Sequence, residues 1–153
     1  MDFYCFDTPA GPMALASEAD RLVRVWLPGS PVPMLMPRET PLLKRASDEL
    51  LEYLSGGRRT FDLPLAPEGT GFQRKVWQAL ESIPFGETRS YGQVAEAVGC
   101  PGGARAVGGA LRANPLPILL PCHRVVAADG STGGYSGGAA LKKRLLTLEG
   151  YVK

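Results

Sequence analysis

The sequence predicts an α+β protein in two parts. A small N-terminal α/β domain over residues 1–68 holds a short antiparallel sheet, and a mainly helical domain over residues 69–153 carries a helix-turn-helix. Three observations predict it. Short strand-like runs crowd the first 27 residues, helical periodicity takes over after residue 71, and residues 64–71, with two prolines and two glycines, read as a linker.

In chain order, residues 3–6, 13–17 and 21–27 read as strands, separated by the turn-like clusters Pro9-Ala10-Gly11-Pro12 and Glu18-Ala19-Asp20. Residues 28–41 contain five prolines and read as an extended loop. Leu43, Ala46, Leu50 and Leu54 then recur at helical spacing until Gly56-Gly57 stops them. Thr70 and Gln73 form a capping-box pair before Phe72, Val76, Trp77 and Leu80, which predicts a helix to about Ile83, ended by Pro84 and Gly86.

Ser90 and Gln93 repeat the capping signal for a short helix over residues 91–98, which Gly99 closes. Pro101 stands where a third helix would start, running to about Arg112. Helix, glycine turn and helix is the organisation of a helix-turn-helix. Asn114-Pro115-Leu116-Pro117 cannot continue it, so the chain should pass through an extended stretch holding Cys122 and a glycine-rich loop over residues 130–138. Leu141, Leu145 and Leu146 mark a final helix.

Composition sets bounds on function. The N-terminus lacks a basic segment followed by an apolar one, and Ile118-Leu119-Leu120 is far short of a membrane span, so the expectation is a cytoplasmic protein without a membrane partner. Three scattered cysteines, Cys5, Cys100 and Cys122, make no disulfide framework and leave at least one free thiol. With one histidine and no ligand spacing, no metal is expected. Residues 1–70 hold 7 basic and 10 acidic side chains, whereas residues 71–153 hold 10 and 5, so the C-terminal half is the positive one and suits a polyanion.

Cys122 becomes a candidate nucleophile through its neighbours. Thiols react as thiolates and need a base or positive charge nearby; the chain's single imidazole is His123, and Arg124 follows. In an extended segment adjacent side chains point to opposite faces, so a bridging water is the simplest relay between the two. A histidine base is usually oriented by a carboxylate, and Glu149 is the odd acid, standing at the C-terminal end of the last helix where it opposes the helix dipole. Pairing with a protonated histidine would offset that placement; a solvent-exposed Glu149 is the alternative.

Pro121-Cys122-His123-Arg124-Val125, together with Arg105-Ala106-Val107-Gly108-Gly109-Ala110, Asn114-Pro115 and Tyr135-Ser136-Gly137-Gly138, resembles the O6-alkylguanine-DNA alkyltransferase family. The match runs from about Phe72 to Gly150, and the N-terminal half adds a compatible sheet-and-helix pattern. The resemblance implies a winged-helix-like second domain and transfer of an alkyl group from O6-alkylguanine, or less well O4-alkylthymine, in duplex DNA to Cys122, once per molecule and without a cofactor. It implies that His123 acts as base through a water, with Glu149 holding the imidazole.

By the same resemblance Arg105 is the finger that fills the space of the flipped base, on a helix lying in the minor groove with Ala104, Gly108 and Arg112 beside it. Tyr91 helps to push the nucleotide out and donates to the leaving guanine, and Asn114 ties the recognition helix to the active-site turn. Leu111, Tyr135, Ser136 and Gly137 line the base pocket, to which Val125 contributes its carbonyl. A monomer in solution is implied, with cooperative assembly on DNA left open. The chain departs from the family pattern at Gly102-Gly103, where better helix formers are usual, and each glycine costs about 1 kcal/mol relative to alanine. It also lacks the cysteine and histidine cluster that holds zinc in the N-terminal domain of some members.

Other readings predict different behaviour. An alkyltransferase-like lesion sensor grips alkylated DNA without repairing it, but such proteins lack the acceptor cysteine that this chain has. A Cys-His hydrolase or redox sensor would turn over and leaves the Arg105 helix unexplained. A transcription regulator would read sequence in the major groove, for which the glycine-rich second helix is poorly equipped.

Overall fold

The computed structural model describes residues 1–135 and 137–151. It divides into two compact units, Met1–Glu68 and Gly69–Lys153.

In the first unit, strands β1 (Asp2–Thr8), β2 (Gly11–Glu18) and β3 (Arg21–Trp26) form an antiparallel sheet in the order β1-β2-β3. Helix α1 (Pro41–Leu54) packs on β1 and β2. Thr40 caps it by accepting from the Leu43 amide, and its apolar stripe buries Leu43, Ala46, Leu50 and Tyr53 with Phe3, Met13, Leu15, Leu22 and Val25 of the sheet. The first part of the predicted linker belongs to this unit: Leu22 donates to Pro64 and accepts from Ala66, fixing residues 64–66 along β3.

In the second unit, α2 (Gly71–Leu80) and α3 (Tyr91–Ala97) both open with complete capping boxes, from Thr70 with Gln73 and from Ser90 with Gln93. Helix α2 is one turn shorter than predicted, because residues 81–83 close in tighter i→i+3 turns ahead of Pro84. Gly99, at φ +78°, makes the turn between α3 and α4 (Ala104–Arg112). Helix α4 begins three residues later than Pro101 suggested: Gly102 sits at φ +79° and Gly103 offers no capping side chain. Trp77 of α2 is buried against α4 and donates its indole N–H to the Ala110 carbonyl at 2.8 Å.

Two-residue strands β4 (Arg89–Ser90) and β5 (Val125–Val126) pair in parallel beside the helix-turn-helix, and α5 (Ala139–Leu148) closes the unit. The expected extended path through Cys122 is replaced by a single 3-10 turn over Cys122–Arg124, held by the Arg124 amide donating to the Pro121 carbonyl at 3.0 Å. Adjacent side chains there diverge by about 120° rather than pointing to opposite faces. No helix among the described residues is long and apolar enough to cross a membrane.

Candidate active site

The turn bearing Cys122 is held by the segment before it. Residues 116–121 are buried apart from their connections, and Ile118 is forced to φ +74°, a conformation a β-branched residue adopts only when its surroundings impose it. Asn114, just past α4, is the clasp: its amide donates to the Leu120 carbonyl at 2.9 Å, and its carbonyl oxygen accepts from the Leu116 amide at 2.9 Å. Asn114 thereby ties the end of α4 to the cysteine turn.

Cys122 is 3% exposed, and burial pushes its thiol up to about 11 against the help that Asn114 and the Lys142 ammonium give the thiolate. The thiol is therefore protonated at neutral pH and needs a base.

His123 lies fully buried on the same turn, with Nε2 at 2.7 Å from Glu149 Oε2. Burial lowers its basicity, only partly opposed by Glu149, so the imidazole is neutral and its Nε2–H donates to the carboxylate. Glu149 is buried at the end of α5, not exposed, and it answers the helix-dipole problem differently from the expected protonated histidine. The Arg124 guanidinium forks onto it, Nε to Oε1 at 2.8 Å and Nη2 to Oε2 at 3.1 Å, with Nη1 donating to the Ile83 carbonyl at 2.7 Å.

Lys142 is the residue that sequence reasoning missed. It is fully buried, donates from Nζ to the Val125 carbonyl at 2.6 Å and the Gly134 carbonyl at 3.1 Å, and sits 5.9 Å from the Tyr91 ring. Burial lowers it to about 8. The signal was available: Lys142 precedes Leu145 and Leu146 by three and four positions and so falls on the buried stripe of α5.

In front of this buried cluster lies a cleft of about 750 Å³ lined by Tyr91, Ala104, Arg105, Gly108, Arg112, Gly134 and Tyr135. Arg105 and Arg112 are exposed on α4, and Tyr91 is half-buried at the start of α3. A cavity of about 10 Å³, lined by Leu111, Arg112, Cys122, Gly134 and Tyr135, shares three walls with the cleft. That is about the space of one water. Gly133, at φ +70°, lets the loop approach Tyr91, since a Cβ there would lie 2.6 Å from the tyrosine hydroxyl. Val125 is buried with its carbonyl engaged by Lys142, Gly137 stands in the turn before α5, and Ser136 lies outside the described residues. Among the described residues no group of cysteine, histidine and carboxylate side chains is arranged to hold a metal.

A helix-turn-helix whose exposed arginines border a cleft, with a buried cysteine and a histidine–carboxylate pair beyond it, defines a protein that does covalent chemistry on a nucleic acid. The DNA-binding domain of 6-O-methylguanine DNA methyltransferase matches residues 71–151. Over nearly its full length the chain is similar to the constitutive methylated-DNA–protein-cysteine methyltransferase of Bacillus subtilis (strain 168), 45% identical over 97% of this chain and 96% of that one. It is also similar to the methylated-DNA–protein-cysteine methyltransferase of Methanosarcina acetivorans, 43% identical over 98% and 99%. Its fold superposes on the crystal structure of Mycobacterium tuberculosis OGT in complex with DNA with a TM-score of 0.89, at 41% identity over 97% of this chain and 92% of that one. The chain belongs to the methylated-DNA–protein-cysteine methyltransferase family.

Proposed function

We propose that this protein repairs alkylated DNA by moving the alkyl group of O6-alkylguanine, and less readily of O4-alkylthymine, irreversibly onto Cys122. The observation that carries the reading is the buried Cys122 beside the His123–Glu149 pair, reached through a narrow cavity that shares its walls with the Arg105 cleft.

The helix-turn-helix binds duplex DNA. Helix α4 enters the minor groove, Arg105 occupies the place of the extruded nucleotide, and Ala104, Gly108 and Arg112 face the backbone. Tyr91 assists extrusion and donates to the departing base, and Leu111 and Tyr135 border it; Gly137 and Ser136 are assigned to the same pocket from the sequence motif alone. The Val125 carbonyl keeps a second lone pair for the base beyond the one that Lys142 uses.

His123, its Nε2–H fixed by Glu149, takes the thiol proton at Nδ1 through one water. The sulfur then attacks the alkyl carbon, an S–C bond forms, and the C–O6 bond breaks with its electron pair leaving on guanine. The departing guanine anion takes up one proton and the imidazolium gives up the one it took from the thiol, so that the base is restored and His123 ends neutral. A thioether has no easy exit, so each molecule acts once and needs no cofactor. The protein works as a monomer in the cytoplasm, with assembly into cooperative runs on DNA open to it, and its binding weakens with salt.

The test is the intact mass of the protein after incubation with excess duplex DNA containing O6-methylguanine. A gain of about 14 Da, absent in Cys122→Ala, is expected. Tight binding with no mass change would refute transfer and favour a lesion sensor.

A further inference from the structure

We propose that Arg124 is a positioning residue for alkyl transfer: its guanidinium fork orients the Glu149 carboxylate and balances its charge, so that His123 rests as a neutral imidazole able to take the thiol proton. This deepens the reading of His123 as the base and rests on it.

The argument begins with the carboxylate. Glu149 accepts at Oε1 from Arg124 Nε and from the Gly86 amide at 3.4 Å, and at Oε2 from Arg124 Nη2 and His123 Nε2. A planar fork against a carboxylate leaves the latter no rotational freedom, so the oxygen that receives the histidine N–H is fixed in place. The third guanidinium nitrogen is tied to the Ile83 carbonyl and the group lies 5.9 Å from the Phe85 ring, so the turn over residues 83–86 holds the arginine as firmly as the arginine holds the acid.

Charge follows from the same contacts. An imidazole buried against a lone carboxylate is drawn toward the protonated form, in which it can accept nothing more. Among the described residues the charged groups that act on His123 are Lys142 from α5, Glu149 just past its end and Arg124 from its own turn, which also carries Cys122. Burial is the largest influence and lowers its proton affinity; Glu149 raises it, and Arg124 and then Lys142 lower it further. Arg124 is the cation in direct contact with the acid. The turn thus carries one full ion pair and a neutral base, and proton transfer from Cys122 to His123 creates a second pair without changing the net charge.

His123 is the only histidine in the chain, so its imidazole resonances can be titrated by NMR without ambiguity. In the unaltered protein the ring should stay neutral to below the ordinary histidine value. Arg124→Gln should raise the midpoint by at least about one pH unit, a tenfold gain in proton affinity, and the acid limb of the single-turnover transfer rate should move with it. Arg124→Lys keeps the charge and loses the fork; it should leave the midpoint near that of the unaltered protein while slowing transfer. Coincident titrations of Arg124→Gln and the unaltered protein would overturn the proposal.

Should Arg124→Gln fail to fold, Arg124→Lys against the unaltered protein tests the fork with the charge kept: transfer should slow, and an unchanged transfer rate overturns the proposal. A midpoint that moves while the rate profile stays put would instead refute His123 as the base, so the two failures are distinguishable.

Discussion

Replacing Lys142 with methionine tests the electrostatics of the site directly. The ammonium is fully buried and titrates at about 8, below the 10.5 of an unperturbed lysine, because burial disfavours its charge. At pH 7 both folded and unfolded chains hold the proton, so the folded state bears the whole burden of the buried charge. As pH rises through 8 the folded state sheds the proton while the unfolded chain keeps it, and stability rises with pH wherever the unfolded state binds more protons. Between pH 7 and 9 a group titrating near 8 supplies about 1.3 kcal/mol of relief, or about 1 kcal/mol after a discount for screening by the nearby cleft. Lys142→Met lacks this contribution, so the stability of the native protein relative to the variant should grow by that amount over the window. The Cys122 thiol, raised by folding from 9.0 to about 11, acts with the opposite sign and sets in above pH 9, which fixes the upper limit. Urea melts of the second unit, followed by the buried Trp77 in a Trp26→Phe background, measure it. A difference that does not change from pH 7 to 9 would refute the reasoning. The variant should also transfer alkyl groups more slowly, since it loses a cation that favours the thiolate.

Three further substitutions and one labelling experiment follow. Gly133→Ala must accommodate a left-handed alanine, at about 1–2 kcal/mol, and push the Tyr91 hydroxyl aside; transfer from alkylated duplex DNA should fall more than transfer from a free O6-alkylguanine base. Asn114→Ala strands the Leu116 amide and leaves the Leu120 carbonyl with the Cys122 amide as donor, and should destabilise the second unit by about 1–3 kcal/mol in urea melts, with transfer slowed as well. Ser90→Ala removes half of the α3 capping box, for a loss of about 1 kcal/mol in the same melts, and equal stability would argue that the cap is redundant. A thiol reagent at pH 8 should modify the exposed Cys5 long before Cys122, whose thiolate fraction there is about one in a thousand, as peptide mapping would show.

Local signals were legible and tertiary ones were not. Both capping boxes in the second unit lie within four residues of sequence, as does the positive-φ glycine of the turn, so α2, α3 and their junction with α4 could be read residue by residue. Glu149 could be singled out because an acid at a helix C-terminus is locally wrong, yet its main cation could not be named, since Arg124 lies 25 positions away and only the fold brings it to the carboxylate. The 3-10 turn at Cys122 escaped because the run of buried residues before it reads as extended, whereas Asn114 and the strained Ile118 bend it. Lys142 escaped because lysine is rarely buried whole, and its phase with Leu145 was outweighed by its type.

The buried cluster also explains why a protein that uses its cysteine once hides it. At rest the thiol is protonated, the imidazole is neutral, and the Arg124–Glu149 pair and Lys142 stand beside them, all removed from water. A thiolate formed there would face an imidazolium across one water and lie within reach of the lysine field, in surroundings where charge interactions are stronger than in water. On the mechanism proposed above, proton transfer and attack are coupled at the far end of a cavity with room for about one water. Substrate must widen that space, and of its walls Arg112, Gly134 and Tyr135 also border the Arg105 cleft. Whatever the cleft binds therefore touches residues that also wall the cavity at the sulfur.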